Sequence, residues 1–311
     1  MAVAYSHRPV LLDEALDALN IRPDGIYLDA TFGRGGHSAA ILARLNAAGR
    51  VLAFDQDPEA IAHGRQAFAD EPRIEFEHCN FSQVARVVTD RKLKQRIDGV
   101  LMDLGVSSPQ LDDAARGFSF LRSGPLDMRM NPEQGESAMQ WLSYVDTRDL
   151  VLVLKRFGEE RFAKRIAGAI VAARDNAEIK DTAQLADIIS AAVPVKEKNK
   201  HPATRSFQAI RIFINRELES VEQGLRGAVD VLALHGRLAV ISFHSLEDRL
   251  VKRFMRAQSS LPELPRGLPV MNANERAPFR LVGKPVTASA AELALNPRAR
   301  SARLRVLERV V

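Results

Sequence analysis

The sequence predicts an α/β fold: a mostly parallel sheet covered by helices on both faces and interrupted by a helical insertion. Three observations carry this. Short apolar runs recur at Gly25 to Ala30, Arg50 to Phe54, Ile74 to Glu77 and Gly99 to Leu104. The stretches between the first three have helical periodicity and the length a βαβ crossover requires. A further strand-like run, Arg237 to Phe243, follows only after a long interval that lacks strand alternation.

In chain order, the first run breaks at Gly33, Gly35 and Gly36, and a helical pattern from Ser38 to Leu45 follows. Glycine lacks a Cβ, so this loop can adopt conformations closed to other residues and come close to a ligand. The free amides that open the next helix face the same spot. After Leu104 come helical patterns at Ala138 to Tyr144, Thr147 to Phe157, Glu159 to Asn176, Asp181 to Ala192 and Thr204 to Leu234. Ser137, Asp146 and Asp181 stand where N-caps belong. The interval Pro194 to Pro202 carries Lys196, Lys198 and Lys200 and reads as an exposed loop. From Ser259 to Pro278 the chain is rich in Pro, Gly and Asn, and strands are expected again near Phe279 to Val282 and Ala302 to Arg309. The resulting division is 1–110 and 211–311 for the sheet domain and 111–210 for the helical insertion.

A chain of 311 residues suits two domains or one large domain with an insertion. Its hydrophobic fraction of 46% is ordinary, and no apolar run is long enough for a membrane span. Without an apolar h-region at the N-terminus, a cytoplasmic protein is expected. One cysteine, Cys79, excludes an internal disulfide framework and a multi-cysteine zinc site, and reads as a buried small hydrophobe. The histidines show no metal-ligand spacing, so no metal is expected. A net charge of +5 leans modestly toward a polyanionic partner.

Two acids accompany the glycine loop: Asp55 ends the second strand and Asp103 the fourth. In open α/β sheets ligands bind beyond the carboxyl ends of the strands, where strand order switches, so residues distant in sequence can share one site. Asp55 is placed to accept hydrogen bonds from a ribose. A nicotinamide cofactor would want G-x-G-x-x-G/A, but after Gly33 and Gly35 the residue Ala39 comes one position late. S-adenosyl-L-methionine, with no pyrophosphate to cradle, is favoured. A bare structural turn remains the alternative.

Asp103 also opens the turn Asp103-Leu104-Gly105-Val106-Ser107-Ser108-Pro109-Gln110. This turn resembles the Asp/Ser-Pro-Pro-aromatic turn of amino-methyltransferases. An exocyclic amine is a weak nucleophile because its lone pair is delocalised into the ring. Acceptors to the amine hydrogens would return that pair to nitrogen and aim it, so orientation and electrostatics supply the acceleration. Asp103, Ser107, Ser108 and Pro109 are the catalytic candidates, with an ordinary capped turn as the alternative. Ring-carbon methylation through a cysteine is disfavoured, since Cys79 lies in another segment.

Together, His7 to Leu12, Thr31 to Ser38, Asp103 to Asp112, Arg116 to Phe120, Gly124 to Met130, Gly158 to Arg161, His201 to Arg205, Ile241 to Arg249 and Asn296 to Ser301 resemble the bacterial 16S rRNA cytosine-N4 methyltransferases nearly end to end. The resemblance implies a class I S-adenosylmethionine-dependent methyltransferase fold with an inserted helical domain for RNA recognition. It implies methylation of N4 of one cytosine in the decoding region of 16S rRNA, within the small subunit or a late precursor. Carried over by motif, the cofactor contacts are Gly35, Gly36, His37, Asp55, Phe81, Asp103 and Gln110, with Gly33 from the loop itself. The substrate candidates are Arg116, Phe118 and Arg129, beside the turn; Lys198, Lys200 and Arg205, in the insertion; and His244, after the fifth strand. For each, a solvated charge or a structural contact is the plain alternative, although Phe118 and Phe120 could stack on bases. The target cytosine is expected to be flipped out. A homodimer is left open, as are a DNA or small-molecule amino-methyltransferase and a noncatalytic ribosome-assembly factor.

Overall fold

A computed structural model of the chain describes residues 8–195, 201–261 and 276–311, and the chain divides into two compact units, 1–105 with 218–311 and 106–217. The sequence-based boundaries fall at 110 and 210; the units part at 105 and 217.

Among the described residues, the first unit is built on an eight-stranded sheet of order β3-β2-β1-β4-β5-β8-β6, with β7 also paired to β8. Its strands are β1 (Ile26–Asp29), β2 (Arg50–Asp55), β3 (Ile74–His78), β4 (Ile97–Asp103), β5 (Leu232–Ser242), β6 (Phe279–Leu281), β7 (Val286–Thr287) and β8 (Arg303–Arg309). Strands β1 to β5 pair in parallel, and β8 runs antiparallel to β5. Strand order reverses beside β1, which has β2 on one side and β4 on the other.

The central strands are apolar on both faces because both are covered. Leu28, Leu52, Phe54, Val100, Met102, Leu238 and Val240 face one core with residues of α4 (Val84–Asp90), α11 (Glu217–Val231) and α12 (Ser245–Gln258). Their alternates Tyr27, Val51, Ala53, Leu101, Ala239 and Ile241 face the other, with α1 (Leu12–Leu19), α2 (Gly36–Leu42) and α3 (Pro58–Ala67). A period of two thus divides each strand between two helical layers. Helix α13 (Ala290–Leu295) anchors the start of α1, since Glu292 Oε1 accepts the Leu11 N–H at 2.7 Å.

The second unit is helical: α5 (Ser108–Asp112), α6 (Ala138–Tyr144), α7 (Thr147–Gly158), α8 (Ala163–Asn176), α9 (Thr182–Ala192) and α10 (Thr204–Ile214). They enclose a core that includes Trp141, Leu154, Ile166, Ile170, Leu185, Ile189 and Ile210. The expected caps act as such: Ser137 accepts from Gln140 N–H, Asp146 from Asp149 and Asp181 from Gln184. Two helical expectations are corrected. The Glu159 to Asn176 stretch becomes helical only at Ala163, because Glu159 takes a left-handed conformation that closes α7. The Thr204 to Leu234 stretch divides into α10 and α11 at Asn215 and Arg216 and passes into β5 at Leu232.

Cys79 is half-buried rather than buried, and desolvation raises its thiol to about 11. Among the described residues, no helix is long and apolar enough to cross a membrane.

Candidate functional site

The carboxyl ends of β1, β2 and β4 gather the first unit's polar candidates. The Phe32 N–H bonds to Phe54 O at 2.8 Å, so the loop after β1 continues briefly along β2 before the glycines turn it into α2. Gly33 has φ +56°, and its N–H donates to Asp55 Oδ2 at 2.7 Å; the other oxygen of Asp55 accepts from the Asp57 N–H at 2.9 Å. On the opposite side of β1, the Asp103 N–H donates to Thr31 Oγ1 at 2.7 Å. One short loop therefore ties the acid ending β2 to the acid ending β4.

Packing within the protein explains two glycines that the sequence suggested were kept free for a ligand. Gly35 has φ +78°, and a Cβ there would stand 2.6 Å from the Phe32 ring. That ring is wedged edge-on against Phe68 and Phe76. A Cβ on Gly36 would stand 2.4 Å from Pro9 Cγ. The loop folds tightly because its own neighbours leave no room.

Three acids at this edge are held above the ordinary carboxylate range. Asp29, 1% exposed at the end of β1, accepts from Ser38 Oγ at 2.7 Å and from the Thr31 N–H at 3.2 Å, yet burial raises it to about 6. Burial likewise raises Asp55 to about 6. Asp103 is raised well above its usual value, chiefly by desolvation and then by the charges of Asp29 and Glu247. His37, buried at the start of α2, has Nδ1 3.8 Å from Asp103 Oδ2; burial lowers it to about 4, so its ring is neutral at pH 7. The buried atoms Asp103 Oδ1 and His37 Nε2 have no hydrogen-bond partner among the described residues. Such an edge favours a cationic ligand with N–H or O–H donors, because an added positive charge relieves the repulsion and donors satisfy the open acceptor. S-adenosyl-L-methionine, which carries a sulfonium, an ammonium and ribose hydroxyls, fits these residues.

Phe81 opens a short 3₁₀ turn after β3, beyond the same edge of the sheet, and is half-buried. Its ring packs on Gly224 of α11, where a Cβ would stand 2.6 Å away. His244 caps α12: its Nδ1 accepts from the Glu247 N–H at 3.4 Å, while Glu247 Oε2 accepts from the Phe243 N–H at 2.8 Å. The imidazole offered as a substrate contact is thus engaged in fixing α12 against the end of β5. Glu247, buried beside it, escaped the sequence reading; the capping pattern His244-Ser245-Leu246-Glu247 was the signal available.

The remaining candidates belong to the second unit. Gln110 Oε1 accepts the Ser107 N–H at 2.9 Å, so the Ser107-Ser108-Pro109-Gln110 turn is a capped start to α5, with Pro109 in its first turn. Arg116 and Phe118, expected as substrate contacts, lie in the interior of the helical unit. Arg116 is 8% exposed and donates to Met130 O at 2.9 Å and Arg129 O at 3.2 Å; Phe118 lies in the core. Arg129 forms a two-pronged pair with Asp127 at 2.9 and 2.7 Å and holds that carboxyl below its usual range. Arg205 is half-buried in α10. Lys198 and Lys200 lie outside the described residues.

A family model described as the MraW methylase family matches residues 4–310. The chain belongs to this family. Two proteins named ribosomal RNA small subunit methyltransferase H are similar to this methylase along its length. The one from Pseudoalteromonas atlantica is 56% identical and covers 100% of both chains. The one from Thioalkalivibrio sulfidiphilus is 57% identical over 99% of this chain and 98% of its own. Among solved structures, an rRNA methylase from Streptococcus thermophilus is 13% identical over 99% of this methylase and 100% of its own chain, with a TM-score of 0.43.

Proposed function

We propose that this methylase transfers the methyl group of S-adenosyl-L-methionine to the N4 amine of a cytosine in the decoding region of 16S rRNA, within the small ribosomal subunit or a late precursor. The family match and the names of the two full-length relatives support rRNA of the small subunit as the substrate. The observation that carries the chemistry is Asp103: a carboxyl raised by burial, pinned by Thr31, with Oδ1 still open at the strand-order switch.

The cofactor supplies an electrophilic methyl on a sulfonium. Asp55 would take its ribose hydroxyls, Phe81 would offer an apolar ring to its adenine, and Gly33, Gly35, Gly36 and His37 would form the turn at its methionine end, with Gln110 as a further contact. Asp103 accepts a hydrogen from the target amine, which returns lone-pair density to nitrogen; Ser107, Ser108 and Pro109, just beyond it in the chain, help to orient the base. Transfer leaves a surplus proton on N4. A carboxylate with a raised pKa can receive it and pass it to water. The helical unit, with Arg205, Lys198 and Lys200, recognises the RNA.

The test is to map N4-methylcytosine in 16S rRNA from cells lacking the protein, then restored with wild type or Asp103→Ala. Methylation should vanish, return with wild type and fail to return with the variant. Unchanged methylation in the deleted strain rules the reading out. Restoration by Asp103→Ala removes Asp103 from the chemistry. Transfer to DNA or small amines, but not to small subunits, would favour the other amino-methyltransferases.

A further inference from the structure

We propose that the exposed face of His201 is a stacking platform for an unpaired base of the RNA substrate. The inference rests on the rRNA reading above and adds a specific subsite within the helical unit.

Three rings run from the core of this unit to its surface. Phe207 of α10 is buried. Phe120 meets it edge-on, with centroids 4.9 Å apart and planes at 76°. His201 then lies over Phe120 with centroids 4.5 Å apart and planes at 29°. Phe120 is half-buried and His201 is exposed, so the imidazole ends the series at the solvent. One face of Phe120, suggested by the sequence as a base-stacking ring, is already covered, and the stacking surface passes outward to His201.

The imidazole is also held in place. Its Nδ1 accepts the Ala203 N–H at 3.2 Å, and the His201 carbonyl accepts the Thr204 N–H at 3.0 Å where α10 begins. Nδ1 is therefore an acceptor. An exposed side chain normally loses rotamer freedom on binding; this ring has already lost it to the backbone and to Phe120. A flat ring fixed at the surface matches the π-face of any unpaired base, which is how single-stranded RNA is held without reading its sequence. Leu121, which follows Phe120 in sequence, is 86% exposed, and Arg122 after it is exposed as well, so apolar and cationic groups adjoin Phe120 in sequence.

Methyl transfer to small ribosomal subunits from a strain lacking the modification provides the test, with kcat and KM measured separately. His201→Asn retains an acceptor near the position of Nδ1 and removes the ring. Its KM for subunits should rise about tenfold, the size of one lost base stack, with kcat, the KM for S-adenosyl-L-methionine and the Tm unchanged. His201→Tyr should restore the subunit KM to within about threefold. The slope of log KM against log salt should match wild type, because no phosphate contact is lost. An unchanged KM in His201→Asn overturns the proposal, as does a loss that tyrosine fails to rescue or that shifts the salt slope by about one. Absence of any wild-type transfer to subunits would instead overturn the rRNA reading, and the platform with it.

Discussion

The backbone N–H of Asp103 donates to the Thr31 hydroxyl at 2.7 Å, which joins the end of β4 to the loop leaving β1. Those strands are neighbours where the sheet order reverses, so the bond fixes the acid of one element on the turn of another. Thr31→Val removes the acceptor while keeping the shape, and strands a part-buried amide at a cost of about 1–3 kcal/mol. Methyl transfer should fall at least tenfold and binding of S-adenosyl-L-methionine should weaken, with Thr31→Ser recovering both. Calorimetric titration with the cofactor and initial rates on small subunits check this.

Asp29 makes stability depend on pH in a predictable direction. Its folded-state pKa of about 6 lies above the ordinary 3.8, so between these values the unfolded chain ionises while the folded one keeps its proton. Its contribution is fully present below about pH 4, falls as pH rises, and has been lost by about pH 6 to 7. Two units correspond to about 3 kcal/mol at 1.36 kcal/mol each. Asp29→Asn, which keeps one of the two acceptor oxygens used by Ser38 and Thr31, should therefore gain stability relative to wild type as pH rises from 4 to 7.5. Urea unfolding at the two pH values reads the difference.

Gly35 is constrained by Phe32. Alanine there would combine a φ of +78° with a Cβ 2.6 Å from the ring. Strain and overpacking together should cost about 2–4 kcal/mol and lower the Tm. Phe32→Leu in the same chain should return part of that loss. A double-mutant cycle in denaturant measures the coupling, and strict additivity would contradict the steric account.

Arg116 should act on folding rather than on RNA. Arg116→Met keeps much of the side-chain volume but removes donors from the carbonyls of Arg129 and Met130. Unfolding should become easier by about 1–3 kcal/mol. The KM of the folded enzyme for subunits should stay within about twofold of wild type. A large rise in KM without loss of stability would return Arg116 to the RNA surface.

Much of this protein was determined locally. Apolar runs with helical patterns between them specify the βα repeat, and an aspartate at the end of a run marks the carboxyl edge where Asp55 and Asp103 stand. The caps Ser137, Asp146 and Asp181 act on amides within three residues, so a short window of sequence contains the whole interaction. Other features depend on partners far along the chain. The helical period from Thr204 onward continues through Asn215, but Asn215 accepts from the Met130 N–H and donates to Met128 O, both at 2.7 Å, and the helix breaks there. Leu232 continues the same apolar pattern, yet pairs with Ile97 and becomes strand. Arg116 and Phe118 look like surface residues until the core forms around them. Burial raises Asp29, Asp55 and Asp103 above the ordinary carboxylate range, and neighbouring acids add to the shift at Asp55 and Asp103, because desolvation and charge proximity are properties of the folded surroundings. Residue types and local spacing were legible in the sequence; strand order, burial and the ring series ending at His201 arose only when distant segments packed together.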